Sequence, residues 1–141
     1  MSYDTNNSPI FVLVTTFNRN ELLKSRSLVS ISNQTIDFEG IIMVDNSDSE
    51  KIRKMNREVF LEIFPEGVYQ INHGHPSAAG TWNQGLQWIN EQHPESWVAV
   101  IDDDDEWSPN HIEICKFHST GKDAVISGIR TLLDGEGIED R

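Results

Sequence analysis

Short, wholly apolar runs alternate along this chain with longer stretches in which apolar residues recur every three or four positions. Ile10–Val14, Ile41–Val44, Val68–Ile71 and Trp97–Ile101 are the short runs. Mostly apolar and often β-branched, they read as strands, and the first, second and fourth as buried ones. Leu22, Leu23, Leu28, Val29 and Ile31 form a helical stripe, predicting a helix from an Asn20 cap to about Asn33. Ile52, Met55, Val59, Phe60 and Ile63 predict a second helix from a Ser49 cap to about Phe64, stopped by Pro65 and Gly67. Trp82, Leu86 and Ile89 mark a third helix, entered from the loop Asn72–Ser77 and ending near Gln92. A helix around Asn110–His118, a last strand Ala124–Ser127, and a tail Leu132–Arg141 that reads as a hairpin fragment or frayed end complete the chain. The alternation predicts an α/β fold, a mostly parallel Rossmann-like sheet flanked by helices and built from right-handed crossovers. At 141 residues, with no internal repeat or low-complexity linker, residues 1–141 make a single domain.

Such sheets bind ligands beyond the carboxyl ends of their strands. Three polar clusters fall there: Thr15–Arg19, Asp45–Ser49 and Asp102–Glu106. The last is a run of four aspartates and a glutamate directly after an apolar strand. Like charges a few Å apart repel by about 1 kcal/mol per pair in water, and by more where solvent is thinned. A hard divalent cation offsets that repulsion, because carboxylate oxygens suit Mg²⁺, Mn²⁺ and Ca²⁺. In extended chain Asp102 and Asp104 share one side, leaving Asp103 and Asp105 on the other. The competing reading is a solvated acidic turn, the usual fate of a charge run. The core strand before the run, and Trp107 and Pro109 after it, favour a site. No glycine-rich dinucleotide fingerprint or phosphate loop appears, so a bound nucleotide would be held by side chains and a metal.

The net charge of −12 argues against nucleic acid and against anionic lipid as partners. Lys51, Arg53, Lys54 and Arg57 lie on the second predicted helix and read as a solvated face. No apolar stretch reaches membrane-spanning length, Met1–Pro9 lacks a signal peptide's hydrophobic region, and the single cysteine, Cys115, fits a reducing compartment. A cytoplasmic location is expected, with peripheral attachment to a membrane enzyme complex left open. His111, Cys115 and His118 share a helix face, but three ligands from one segment fall short of a structural zinc site. The acidic run lacks the glycine of an EF-hand, and no serine nucleophile elbow is present.

Four motifs together carry a resemblance. They are Val12-Leu13-Val14-Thr15-Thr16-Phe17-Asn18-Arg19, Ile42-Met43-Val44-Asp45-Asn46-Ser47, the small-residue stretch Ser77–Gly85 with Ala79, Asn83 and Gly85, and Asp102-Asp103-Asp104-Asp105-Glu106-Trp107-Ser108-Pro109. In that order, each at a strand end or helix start, they resemble the family 2 inverting glycosyltransferases of the A-type nucleotide-diphospho-sugar fold. The resemblance implies a nucleotide-diphosphate sugar donor, a saccharide or lipid-linked acceptor, and Mn²⁺ or Mg²⁺ as cofactor. It implies that Thr15 and Phe17 flank the base, Phe17 standing where the family often has Tyr. Asn18 and Asn83 join the donor site, and Asp45 accepts a hydrogen bond from a pyrimidine ring N–H. Asp102 or Asp103 holds the ribose, and Asp104, with Asp102, ligates the metal. A cap of the second helix is the alternative for Asp45, and simple packing that for Asn83.

The chain also departs from the family. Where the family often has Arg beside the Asn of its third motif, this chain has Trp82, read as core rather than sugar pocket, and no Arg or Lys occurs from Asn72 to Val100. His73 and His75 could face phosphate but read as solvated loop residues. In the family the acceptor-binding half and the catalytic base lie well downstream of the metal motif, whereas this chain stops soon after Ser127-Gly128. A donor-binding portion, either excised or a truncated relative, is therefore expected, with the catalytic base unassigned. A non-catalytic nucleotide- or metal-binding module is the alternative.

Overall fold

The computed structural model describes residues 8–125, 130–133 and 137–140. Four parallel strands form the main sheet: β1 (Ile10–Thr16), β2 (Gly40–Asp45), β3 (Val68–Ile71) and β4 (Trp97–Asp102), in the order β3-β2-β1-β4. The expected α/β class and parallel sheet are therefore observed. Beyond them β5 (Arg130–Leu133) pairs antiparallel with β6 (Gly137–Asp140), so the tail holds a hairpin. Ala124 and Val125 lie in neither helix nor strand, and the rest of the strand expected at Ala124–Ser127 lies outside the described residues.

Alternation along β1 sends side chains to two cores. Ile10, Val12 and Val14 join Ile41, Met43, Phe60 and Ile112 on one face, while Phe11 and Leu13 join Ile42, Val44 and Ile89 on the other. Full burial of each such side chain stabilises by about 1.5–3 kcal/mol. Helix α1 (residues 20–32), helix α2 (Glu50–Ile63) and helix α4 (His111–Phe117) cover the first face, and helix α3 (Ala78–Gln92) covers the second.

Three local expectations need correction. Asn20 does not cap α1; Arg19 precedes the helix without a side-chain cap, and the Asn20 amide instead donates to Asn56 Oδ1 at 2.9 Å. The helix also contains a π turn, Leu23–Ser27. Ser27, at the end of that turn, is buried with Oγ 2.7 Å from the Asp102 carbonyl oxygen and 2.9 Å from that of Asp105. Finally, β4 is less buried than its apolar run predicts, because among the described residues it is an edge strand and only Ile101 is fully inside.

The Ser49 cap of α2 is observed, its hydroxyl accepting from Ile52 N–H, and Ser77 caps α3 in the same way through Gly80 N–H. Helix α3 packs through Thr81, Gly85 and Ile89, a stripe of mostly small side chains. A Cβ on Gly85 would run into the Leu13 side chain, so glycine here lets the helix lie close against β1. No helix of the described residues is long and apolar enough to cross a membrane.

Candidate functional site

Strand order reverses its winding at β1, which lies between β2 and β4, and this is where open α/β sheets form a ligand crevice. The register sets Thr16 opposite Asp45 and Thr15 opposite Asp102, so the three polar clusters meet at one sheet edge.

On the β2 side the polar groups are saturated. Asp45 is 0% exposed, and its carboxylate accepts from Ser47 N–H at 2.9 Å, Asn56 Nδ2 at 3.0 Å and the Tyr69 hydroxyl at 2.8 Å. Burial first, and then the bond to Asp45, push the Tyr69 phenol upward, so it stays a neutral donor. Ser47 Oγ accepts from the backbone N–H of Asn18, a non-glycine residue with positive φ, 53°. The Asn18 side chain donates to Asp48 at 2.8 Å and accepts from Asp48 N–H at 3.0 Å. These bonds clamp the β1 turn to the β2 turn and leave Phe17 half exposed at their edge. Asp45, expected to meet a base, is buried here and its three donors tie it to the turn. Nor does it cap α2, where Ser49 does so.

The β4 side is different. The strand ends at Asp102, and a turn closed by the Asp105 N–H on the Asp102 carbonyl oxygen brings the chain back. Asp102, Asp104 and Asp105 thereby gather, each offering an oxygen, all within 4.8 Å of one another. Asp102 and Asp104 share a side as expected; Asp105 joins them because the backbone turns where an extended chain was assumed. Burial, and then the charges of Asp104 and Asp102, hold the Asp105 carboxyl above the usual carboxylate range. Asp103 points the other way and is 3% exposed. It accepts from Thr16 Oγ1 at 3.0 Å, Phe17 N–H at 2.9 Å and Arg19 Nη1 at 3.3 Å. Burial raises its carboxyl despite those donors. These bonds hold Asp103, expected as an alternative to Asp102 for the ribose, between β4 and the β1 turn.

Asp102 stays at the surface of the crevice. Its Oδ1 accepts from the Thr15 hydroxyl at 2.7 Å, and the Trp82 indole N–H reaches both Thr15 Oγ1 at 3.2 Å and Asp102 Oδ1 at 3.4 Å. Trp82 is therefore not core: it is 38% exposed and lines the crevice. Asn83 is exposed on α3 and, among the described residues, no hydrogen bond joins it to this group. Arg19 is ion-paired with Asp104 at 2.9 Å and Asp103 at 3.3 Å.

Trp82, expected in the core, and Arg19, given no role, lie beside the acidic group, and Asp105, expected on the other side of the run, joins it. Thr81, Gly85 and Ile89, four apart, could have revealed that the buried stripe of α3 bypasses Trp82. The loop histidines stay away from the acidic group: His75 Nδ1 lies 3.0 Å from Ser77 Oγ, and His73 is exposed. His111 Nε2 and Cys115 Sγ are 3.8 Å apart, and burial lowers the histidine and raises the thiol. The acidic trio is the metal-type cluster found among the described residues.

Three carboxylates converge at the switch point of a parallel α/β sheet, where their oxygens could hold a metal ion. The chain belongs to glycosyl transferase family 2, whose model matches residues 11–138. Among solved structures it is similar to S. aureus TarS, with a TM-score of 0.52 and 20% identity over 75% of this chain. That likeness supports the fold, and the match spans 18% of the TarS chain. No curated protein matches the chain.

Proposed function

We propose that this chain is the donor-binding part of an inverting, cation-dependent glycosyltransferase acting on a nucleotide-diphosphate sugar, with a saccharide or lipid-linked acceptor. One observation carries the reading: in a chain of this family, Asp102, Asp104 and Asp105 converge at the carboxyl end of β4, beside the β1 turn. The donor set fits the cofactor, because three carboxylate oxygens are the ligands that Mg²⁺ and Mn²⁺ take. Such an ion, when bound, supplies positive charge against the diphosphate leaving group.

The protein's own residues position the donor. The half-exposed Phe17 ring offers a stacking face to the base, and the Asn18–Asp48 clamp holds that ring at the crevice edge. Asp45 acts beneath it as a buried support, fixing the turn through Ser47, Asn56 and Tyr69. Asp102 is the carboxylate open to a ribose hydroxyl, oriented by Thr15 and Trp82. Inversion calls for direct displacement at the anomeric carbon, with a base acting on the acceptor side; no residue is assigned to that step. We place the protein in the cytoplasm, where nucleotide sugars would be its donors.

Calorimetry with uridine, thymidine and guanosine diphosphate sugars tests the reading. Binding of at least one donor is expected in Mn²⁺, weakening at least about tenfold in chelator, the loss of a charge-assisted contact. No binding of any of the donors would contradict it.

A further inference from the structure

The acidic run carries more negative charge than its neighbours neutralise, and one guanidinium answers it. Arg19 Nη1 lies 2.9 Å from Asp104 Oδ2 and 3.3 Å from Asp103 Oδ1, with half of the arginine side chain exposed. The two partners are unequal. Asp103 is buried and keeps the Thr16 hydroxyl and the Phe17 N–H whether or not Arg19 stays. Asp104 has a side chain that is 42% exposed, and it also belongs to the trio with Asp102 and Asp105. One carboxylate therefore stands in two charge sets, one closed by an arginine and one shaped for a divalent cation. Both draw on the same negative charge, and filling the second weakens the hold of the first.

What Arg19 would do when released follows from its chemistry and its surroundings. A guanidinium presents a planar fork of N–H donors that matches two phosphate oxygens at once. Among the described residues both ion pairs are made by Arg19, and no Arg or Lys occurs from Asn72 to Val100, the stretch that holds α3 and most of β4. A donor with two phosphates brings its own negative charge into a crevice whose carboxylates repel it.

We propose that Arg19 is an exchangeable counter-ion: it neutralises Asp104 while the cation is away, and binds the donor's diphosphate once the cation has taken Asp104. The inference rests on the donor-binding reading and adds to it a residue which that reading does not use. Cation and diphosphate binding are then coupled through one side chain, since the cation frees the guanidinium that the diphosphate needs. Arg19 opposes the first ligand and assists the second.

Calorimetry on the 141-residue chain and its Arg19→Gln and Arg19→Lys variants tests this, with Mn²⁺ alone and then with UDP, dTDP or GDP in saturating Mn²⁺. Arg19→Gln is expected to bind Mn²⁺ alone up to about fivefold more tightly, the worth of a half-exposed ion pair. The same variant is expected to bind the nucleoside diphosphate at least about tenfold more weakly, having lost a charge-assisted contact. Arg19→Lys should hold Mn²⁺ near the wild-type affinity and lose part of the diphosphate affinity, because a point charge replaces a fork. A purely structural arginine would weaken both ligands on removal. Weaker Mn²⁺ binding in Arg19→Gln, or unchanged diphosphate binding, overturns the proposal while leaving the donor site standing. If wild-type chain binds neither Mn²⁺ nor any of the three nucleotides, the donor-binding reading falls and takes the proposal with it. Should Arg19→Gln unfold, Arg19→Lys decides: unchanged diphosphate affinity overturns the exchange, and reduced affinity at constant Mn²⁺ affinity supports it.

Discussion

Two carboxylate groups stand at neighbouring strand ends of one sheet, and they are built in opposite ways. Asp45, at the end of β2, is fully buried with three donors arranged around it. Asp102, Asp104 and Asp105, at the end of β4, converge with a surplus of negative charge and half-exposed surfaces. A buried charge persists only where donors satisfy it, so the first group is committed to the fold. The second group sets three carboxylates against one half-exposed guanidinium, that of Arg19. Self-repulsion of that kind costs stability unless a ligand relieves it, which is why the proposed cation site is the β4 end. A saturated network positions the turn, and an unsaturated one stands ready for a partner.

The contrast can be broken most forcefully at Asp45. Asp45→Ala leaves the Ser47 N–H, Asn56 amide and Tyr69 hydroxyl without their acceptor, and a loss of about 3 kcal/mol or more is expected in urea unfolding. A loss below 1 kcal/mol would mean that the buried network contributes little to the fold. At the other end the signs reverse. Asp102→Asn with Asp104→Asn should cost no stability in chelator, yet abolish Mn²⁺-dependent donor binding, a change of about a hundredfold or more in Kd. Donor affinity that survives the pair of substitutions would move the cation site elsewhere.

A smaller effect appears in the dependence on pH. The carboxyls of Asp103 and Asp105 are raised in the fold, chiefly by burial. An acid that holds its proton more tightly when folded adds stability below its unfolded value, 3.8, and loses it as pH rises through the folded value. Asp105→Asn should therefore unfold at higher urea than wild type at pH 7 in chelator, by less than about 1 kcal/mol, with the gap closing toward pH 4. A gap that is constant with pH, or of the opposite sign, would show that the fold does not raise the Asp105 carboxyl, by burial or by its neighbours' charges. Saturating Mg²⁺ should erase the gap from the wild-type side. The mildest change is Trp82→Phe, which keeps a ring and deletes the N–H shared by Thr15 and Asp102. Donor affinity should fall only a few-fold, since a half-exposed hydrogen bond is worth about 0.5–1 kcal/mol, and the melting temperature should not move measurably.

Much of this contrast was legible in the sequence, and the rest had physical reasons to hide. Strand runs, the Ser49 cap and the three polar clusters all follow from local patterning, which a parallel sheet obeys closely. Asp45 was visible as a carboxylate at a strand end, but not its burial. That depends on Asn56, which lies four residues from both Ile52 and Phe60 and so occupies the apolar face of α2. Trp82 was hidden by apolarity itself, because a large apolar residue on a helix reads as core unless smaller neighbours show that the backbone lies close to the sheet. Asp105 was misplaced because alternation holds only while the chain stays extended, and β4 ends at Asp102. Arg19 pairs with residues more than eighty positions away, a distance that no local pattern spans.

The most direct measurement is a Mg²⁺ titration of the ¹⁵N-labelled chain followed by NMR. Saturable shifts are expected at the amides of Asp103, Asp104 and Asp105, at Phe17 N–H, which bonds Asp103, and at the Trp82 indole N–H, while Asn56 and the Tyr69 amide stay still. Shifts scattered over exposed acids such as Glu58 and Glu62, or centred on the Asp45 network, would contradict the division between a saturated support and an open cation site.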